Sequence, residues 1–421
     1  MSYPNVSSRF DVKPNGYKNN MGKKTYYKGL IIRELYVSAQ LSCSAISERI
    51  AKSMPFTLKI LAELVSEAYV KESGFAPSSG GRRPLVYSLI SNSIYILSVA
   101  MDQLVTRICI MDIGNEILGE VTKIELPLKN NPAAASILAA KMEEVIVNSG
   151  IDRNKIIGAG IGMPGFIDPR KGINYTFLES KGKPLAQYIS DKLKLPVYID
   201  NDSSIIALAE FRFGAAQGRR HVMVINIGWG VGLGMILNGQ LFRGNNGFAG
   251  EFSHIPLFDN GKLCSCGKTG CLETESSLLV VIEKAAEKVK AGRLSSLDKN
   301  FPTGQVEEDI ATILNTAIRG DRFVIELLSE AGYNIGRGVA ILIHLVNPEL
   351  IILSGRGAQA GKLWQAPIQQ ALNEHCIPRL GANASISIST LGYNAELIGA
   401  AALVLESRVK ENSSKTRLVT S

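Results

Sequence analysis

Cys264, Cys266 and Cys271 fall within eight residues of this 421-residue chain, and His254 lies ten residues upstream of the first. Three thiolates and an imidazole suit Zn²⁺, a borderline-soft ion that takes nitrogen and sulfur ligands in a tetrahedron. Gly267 and Gly270 allow the tight turns that bring three sulfurs to one point. Glu251 and Glu273 bracket the set, in the stretch GFAGEFSHIPLFDNGKLCSCGKTGCLE (247–273). Separately buried cysteines beside an unrelated His are one alternative, although thiols so closely spaced are seldom buried one by one. A disulfide is the other, and it fits poorly with an odd cluster and no secretory signal.

The elements that position such a loop belong to a chain of two or three domains. Hydrophobic residues make up 46% of it, enough for a sizeable core, and forty glycines suit many tight strand–turn–helix joins. No apolar run reaches about 18 residues, so no membrane span is expected, and unpaired cysteines point to the cytoplasm. Residues 1–90 hold 13 Lys/Arg against 6 Asp/Glu, a net of +7 out of the chain's +8. That is the footprint of a small nucleic-acid-binding module joined to a near-neutral one.

Residues 1–24 read as a flexible polar arm. In YYKGLIIRELYV apolar residues at 27, 30, 31 and 35 have helical spacing. Ser44 is placed to cap a short helix, AISERIA (45–51). A third helix is expected from Pro55 to about Tyr69, burying Ile60, Leu61, Leu64, Val65 and Ala68. YVKES and PLVYSLI then flank a glycine-rich tip as two strands. Three helices and a hairpin describe a winged helix-turn-helix over 25–90, with the third helix entering the major groove. Its outward residues would be Phe56, Leu58 and Lys59. Arg82 and Arg83, on the thin Gly80–Gly81 loop, suit a narrow minor groove.

Five segments together resemble the ROK family of sugar kinases and sugar-responsive repressors. They are GxxGExxH with CxCGxxGCxE (247–273), GAGIGMPGFID (158–168), IDNDSSIIALAE (199–210), INIGWGVGLGMILNGQLFRG (225–244) and VNPELIILSGRG (346–357). The Gly80–Pro84 tip is similar to the wing of the family's repressors. The resemblance spans roughly residues 94–406. It implies an α/β actin-like domain over 91–408, with lobe one at 91–200 plus 394–408 and lobe two at 201–393, before a flexible tail from 409. The resemblance implies a sugar held by Asn201, Asp202, Glu251, His254 and Glu273. It also implies a structural zinc on His254, Cys264, Cys266 and Cys271, and Asp202 as the vestigial catalytic base.

Several positions depart from the family's kinases. Their first phosphate loop reads DxGGT; here the matching place is Ala100-Met101-Asp102-Gln103-Leu104, without the glycines and with an acid where phosphates would sit. The second loop's GTG is Gly228-Trp229-Gly230, and Arg356 enters the adenosine loop. INYTFLES (173–180), in the region expected to read sugar stereochemistry, lacks the tryptophan common among relatives. Losing one stabilising donor typically slows a reaction about 10²–10³-fold, and here a whole cradle has changed. The expectation is a non-enzymatic, dimeric or tetrameric repressor of carbohydrate genes, bound to a DNA operator and released by a monosaccharide or sugar phosphate. An active ROK sugar kinase and a regulator controlled by a partner protein are the alternatives.

Overall fold

The computed structural model describes residues 20–76, 83–259 and 261–418. The chain divides into two compact units, Met1–Ile94 with Leu405–Ser421, and Tyr95–Val404. Among the described residues no helix is long and apolar enough to cross a membrane.

The first unit runs α1 (Asn20–Ser38), β1 (Gln40–Ser42), α2 (Cys43–Arg49), α3 (Met54–Ser66), β2 (Val70–Phe75) and β3 (Leu85–Leu89). The strands form an antiparallel sheet in the order β1-β3-β2. Tyr27, Leu30, Ile31 and Leu35 of α1 are buried, at the spacing read from the sequence. The helix begins at Asn20, so residues 20–24 are not part of an arm. Strand β1 was not foreseen, and it moves the next cap: extended Ser42, not Ser44, accepts from Ala45 N at 3.2 Å. In α3 the buried stripe is Thr57, Ile60, Leu61 and Leu64. Val65 is exposed, and Ala68 lies past the helix at φ +59°, where the chain reverses into β2.

The second unit carries two five-stranded sheets of the same plan. In lobe one, β4 (Tyr95–Met101), β5 (Val105–Asp112) and β6 (Ile117–Glu125) form a meander. Then follow α4 (Ala134–Asn148), β7 (Ile156–Met163), the short pair β8 (Ile167–Asp168) and β9 (Ile173–Asn174), α5 (Leu185–Leu193) and β10 (Val197–Asn201). Lobe two opens with α6 (Asp202–Phe213), the meander β11 (Val222–Ile227), β12 (Val231–Leu237) and β13 (Gln240–Phe242), and α7 (Glu273–Ser276). It continues with α8 (Leu278–Lys290), α9 (Val306–Ile318), α10 (Arg322–Val346), β14 (Leu350–Ser354), α11 (Lys362–His375), α12 (Pro378–Gly381) and β15 (Ser385–Ile388). The sheet orders β6-β5-β4-β7-β10 and β13-β12-β11-β14-β15 both read third-second-first-fourth-fifth.

Central β4 and β7 are buried along nearly their whole length, as strands covered on both faces must be, whereas edge strand β6 has no buried residue. The last helix, α13 (Ala395–Leu418), packs its first turns directly on β7. A Cβ on Gly160 would stand 1.9 Å from the Ala400 carbonyl oxygen, so only glycine permits that approach. Residues 409–418, expected as a loose tail, continue this helix, and Val409 joins the core of the first unit.

Candidate functional site

A cavity of about 480 Å³ lies within the second unit between the two sheets, inside the range of small-molecule sites. Asn201, Asp202, Glu251, His254 and Glu273 all line it. Asn201 ends β10 and caps α6: its Oδ1 accepts from Ser203 N at 3.0 Å and Ser204 N at 3.2 Å, so the cap does not use its amide NH₂. Asp202 is the first residue of α6 and accepts from Ser203 N at 2.7 Å. Burial outweighs those bonds and pushes its carboxyl up to about 6, with Asp102 and Glu251 adding to the rise.

The 247–273 loop brings the candidate metal ligands together. The ligand atoms of His254, Cys264, Cys266 and Cys271 lie within 4.8 Å of one another. Cys266 and Cys271 sulfurs are 3.6 Å apart, and Cys264 Sγ is 3.5 Å from His254 Nδ1. The edges of a tetrahedron with metal–sulfur bonds of about 2.3 Å and metal–nitrogen bonds of about 2.0–2.1 Å have these lengths, so the donor set fits such an ion. Gly270 sits at φ +73° with Phe258 O where a side chain would be, which is what closes the loop. The imidazole serves two sides: Nδ1 faces the sulfurs, while Nε2 lies 3.8 Å from Glu251 Oε2. Burial raises both the Glu251 and Glu273 carboxyls.

Opposite this loop the cavity wall is densely paired. Asp102 closes the β4–β5 turn on itself, accepting from Leu104 N at 2.8 Å and Val105 N at 2.7 Å through Oδ1. Its Oδ2 takes Arg356 Nη2 at 3.0 Å. The same guanidinium donates to Glu307 and to the Tyr393 hydroxyl, and stands 5.3 Å from the Trp229 ring centroid. Tyr393 is held between Arg356, at 4.7 Å, and Arg107, at 3.4 Å from its centroid. Arg107 in turn donates to Glu396 Oε2 at 3.1 Å.

Sequence reasoning missed Tyr393, in the short turn before α13, and Glu396, in the first turn of that helix, which was read only for its small residues. It also missed an aromatic rim. Phe166 and Phe248 line the cavity with centroids 5.5 Å apart, and Tyr175 lies 5.8 Å from Phe248. Thr176 and Phe177 complete that side, their backbone N–H groups bound by Asn174 Oδ1 at 2.9 and 3.0 Å. Phe166 and Phe248 sit inside motifs already recognised; the signal was an aromatic beside each glycine.

In the first unit Leu58 and Lys59 are exposed on α3, and Arg83 is exposed before β3. Phe56 was expected outward but packs against Tyr27, centroids 5.1 Å apart. Within the first turn of α3 its ring faces α1, and an aromatic ring gains more from that core than from water. Arg82 lies outside the described residues.

The sequence profile of the ROK family matches residues 104–407. A glucokinase of Halalkalibacterium halodurans is 33% identical over 299 residues, covering 70% of this chain and 89% of that protein. A xylose repressor of Caldicellulosiruptor bescii is 28% identical over 390 residues, covering 91% of this chain and 96% of the repressor. The crystal structure of a ROK family transcriptional regulator, a homologue of the Escherichia coli Mlc protein, matches at a TM-score of 0.75 and 25% identity. It covers 94% of this chain and 99% of that one.

Proposed function

Because the chain belongs to the ROK family, we propose that it is a DNA-binding regulator, a repressor of sugar-utilisation genes, whose kinase-like cleft binds a sugar without phosphorylating it. The self-closed Asp102 turn carries this reading. Phosphoryl transfer depends on backbone N–H groups and charge aimed at the phosphates. Here the Leu104 and Val105 N–H groups are taken by a carboxylate, and Arg356 is engaged by Asp102 and Glu307. The repressor relative supports the DNA half, since it aligns over 91% of the chain where the glucokinase aligns over 70%.

Asn201, Asp202, Glu251, His254 and Glu273 are the proposed sugar ligands: paired acceptors meet vicinal hydroxyls and leave few polar groups unpaired. Zinc is the proposed ion of the Cys–His cluster, a four-ligand structural site that fixes His254 and the acids beside it. Helices α2 and α3 with the β2–β3 hairpin are the proposed winged helix-turn-helix, reading DNA through Leu58, Lys59, Arg82 and Arg83. A homodimer matches two half-sites. Sugar closes the cleft and disfavours the DNA-competent arrangement; emptying an occupied operator takes a differential affinity of about 10⁴-fold.

Operator binding by the full chain is expected to fall on addition of the effector sugar, and Asp202→Asn is expected to abolish that response while leaving sugar-free operator binding intact. The kinase reading keeps support from the glucokinase relative and from Asp202, whose carboxyl at about 6 suits a general base. ATP consumption above about 1 s⁻¹ with any hexose decides for the kinase. Replacing Arg82 and Arg83 together by alanine should weaken operator binding and reduce its log–log salt slope by about 2, one unit per lost phosphate contact. An unchanged slope removes the wing from the interface.

A further inference from the structure

Two buried polar atoms in the cleft have no partner within the protein: Trp229 Nε1 and Glu396 Oε1. Both residues line the same cavity as Asp202. Neither belongs to the sugar set read from the motifs. Buried polar atoms in folded proteins are almost always hydrogen-bonded, and unmatched ones at a cleft mark what a ligand is built to meet. A sugar hydroxyl both donates and accepts, so one ligand can satisfy the indole N–H and the carboxyl oxygen. A phosphate dianion offers acceptors only.

The surroundings are also hostile to added negative charge. Asp102, Asp202, Glu251, Glu273 and Glu396 put five carboxyl groups on the lining. Of the cations there, Arg356 is engaged by Asp102 and Glu307, Lys129 is exposed at the rim, and His254 turns Nε2 towards Glu251. Just behind the wall, Arg107 is taken by Glu396 and the Tyr393 carbonyl. Burial pushes the Glu396 carboxyl up to about 8 and Asp202 up to about 6, each raised further by acidic neighbours. An environment that resists the charge of its own carboxylates resists a phosphate more strongly.

We propose that the effector is an uncharged sugar, that Trp229 and Glu396 contact its hydroxyls, and that its phosphorylated form is rejected. This rests on the reading of the cleft as an effector site. Each fixed carboxylate within several ångströms of a bound dianion weakens it by roughly tenfold or more at the effective dielectric of such sites, so discrimination of at least about 100-fold is expected.

The test is calorimetry on the full chain with aldopentoses, aldohexoses, ketohexoses and N-acetylhexosamines, each beside its monophosphate. At least one uncharged sugar should bind, with its monophosphate at least about 100-fold weaker. Trp229→Phe, which keeps a ring under Arg356 and removes the N–H, should weaken that sugar about tenfold. Glu396→Gln, which keeps an acceptor for Arg107 and replaces the unpartnered carboxyl oxygen by an amide, should weaken it measurably, while the four other carboxyl groups of the lining keep the discrimination above about tenfold. A monophosphate that binds as tightly as its parent sugar overturns the proposal and leaves the effector reading standing. So does a sugar whose affinity is within twofold of normal in both variants. Silence towards every compound, with operator binding intact, overturns both.

Discussion

Replacing Arg356 with alanine is expected to lower the unfolding free energy of the second unit by about 3–5 kcal/mol, read from the urea midpoint. That is the range for removing one member of a buried ion pair and stranding the others. Its side chain is 11% exposed, with Asp102 at 20% and Glu307 at 28%. Loss of the guanidinium leaves two acids and the Tyr393 hydroxyl facing one another, and removes the cation stacked on Trp229 and Tyr393. Arg356→Lys should recover little, because a compact ammonium cannot reach three acceptors and lie across two rings. Asp102→Asn should cost only about 1 kcal/mol, since the Oδ1 bonds to Leu104 and Val105 survive. A loss below about 1 kcal/mol for Arg356→Ala would show the cluster to be a solvated contact. The placement gives the result its meaning. Asp102 belongs to the β4–β5 turn of lobe one and Arg356 follows β14 of lobe two, so the pair joins the two sheets across the cavity.

Such a clasp could be read only in part from the sequence. Its local half was legible. Gly228-Trp229-Gly230 and the acid at 102 stood out against a glycine-rich expectation, and strand and turn followed from hydrophobic periodicity. Its partners lie 37 to 289 residues apart along the chain, and no local pattern ties Glu307 or Tyr393 to Arg356, or Glu396 to Arg107. The cysteine loop is the opposite case. All four candidate ligands fall within 18 positions, so spacing alone was enough to group them. Ends of elements were least legible. Ser42 took the cap expected at Ser44 because a three-residue strand precedes it, and Phe56 turned inward because its ring packs on Tyr27 of α1. Each is a tertiary contact overriding a local preference.

Replacing Cys271 with serine should remove bound metal and sugar binding together. Cys271 is fully buried, its sulfur 3.6 Å from Cys266 and 3.7 Å from the His254 carbonyl. Serine keeps the volume but is a poor ligand for a borderline-soft ion, which prefers thiolate. Structural zinc on four such ligands contributes about 10–16 kcal/mol in small peptides. Here even a fraction of that is enough to hold a loop that, apart from two isolated bridges, is organised by turns. The cost is expected to stay local. Glu251, His254 and Glu273 all hang from that loop, and the cavity loses three of its five proposed sugar ligands when it opens. The two sheets and the first unit have their own cores. The expected result is therefore metal content falling from one zinc per chain to near zero, and loss of the sugar-induced thermal shift. That shift is about 2.7 kcal/mol at 100 times the dissociation constant. Operator binding in the absence of sugar persists, so the variant becomes a repressor that no sugar releases. A variant that keeps its sugar response without metal would separate the loop's geometry from the ion. A variant that loses operator binding as well would show that the loop supports the whole chain rather than the pocket alone.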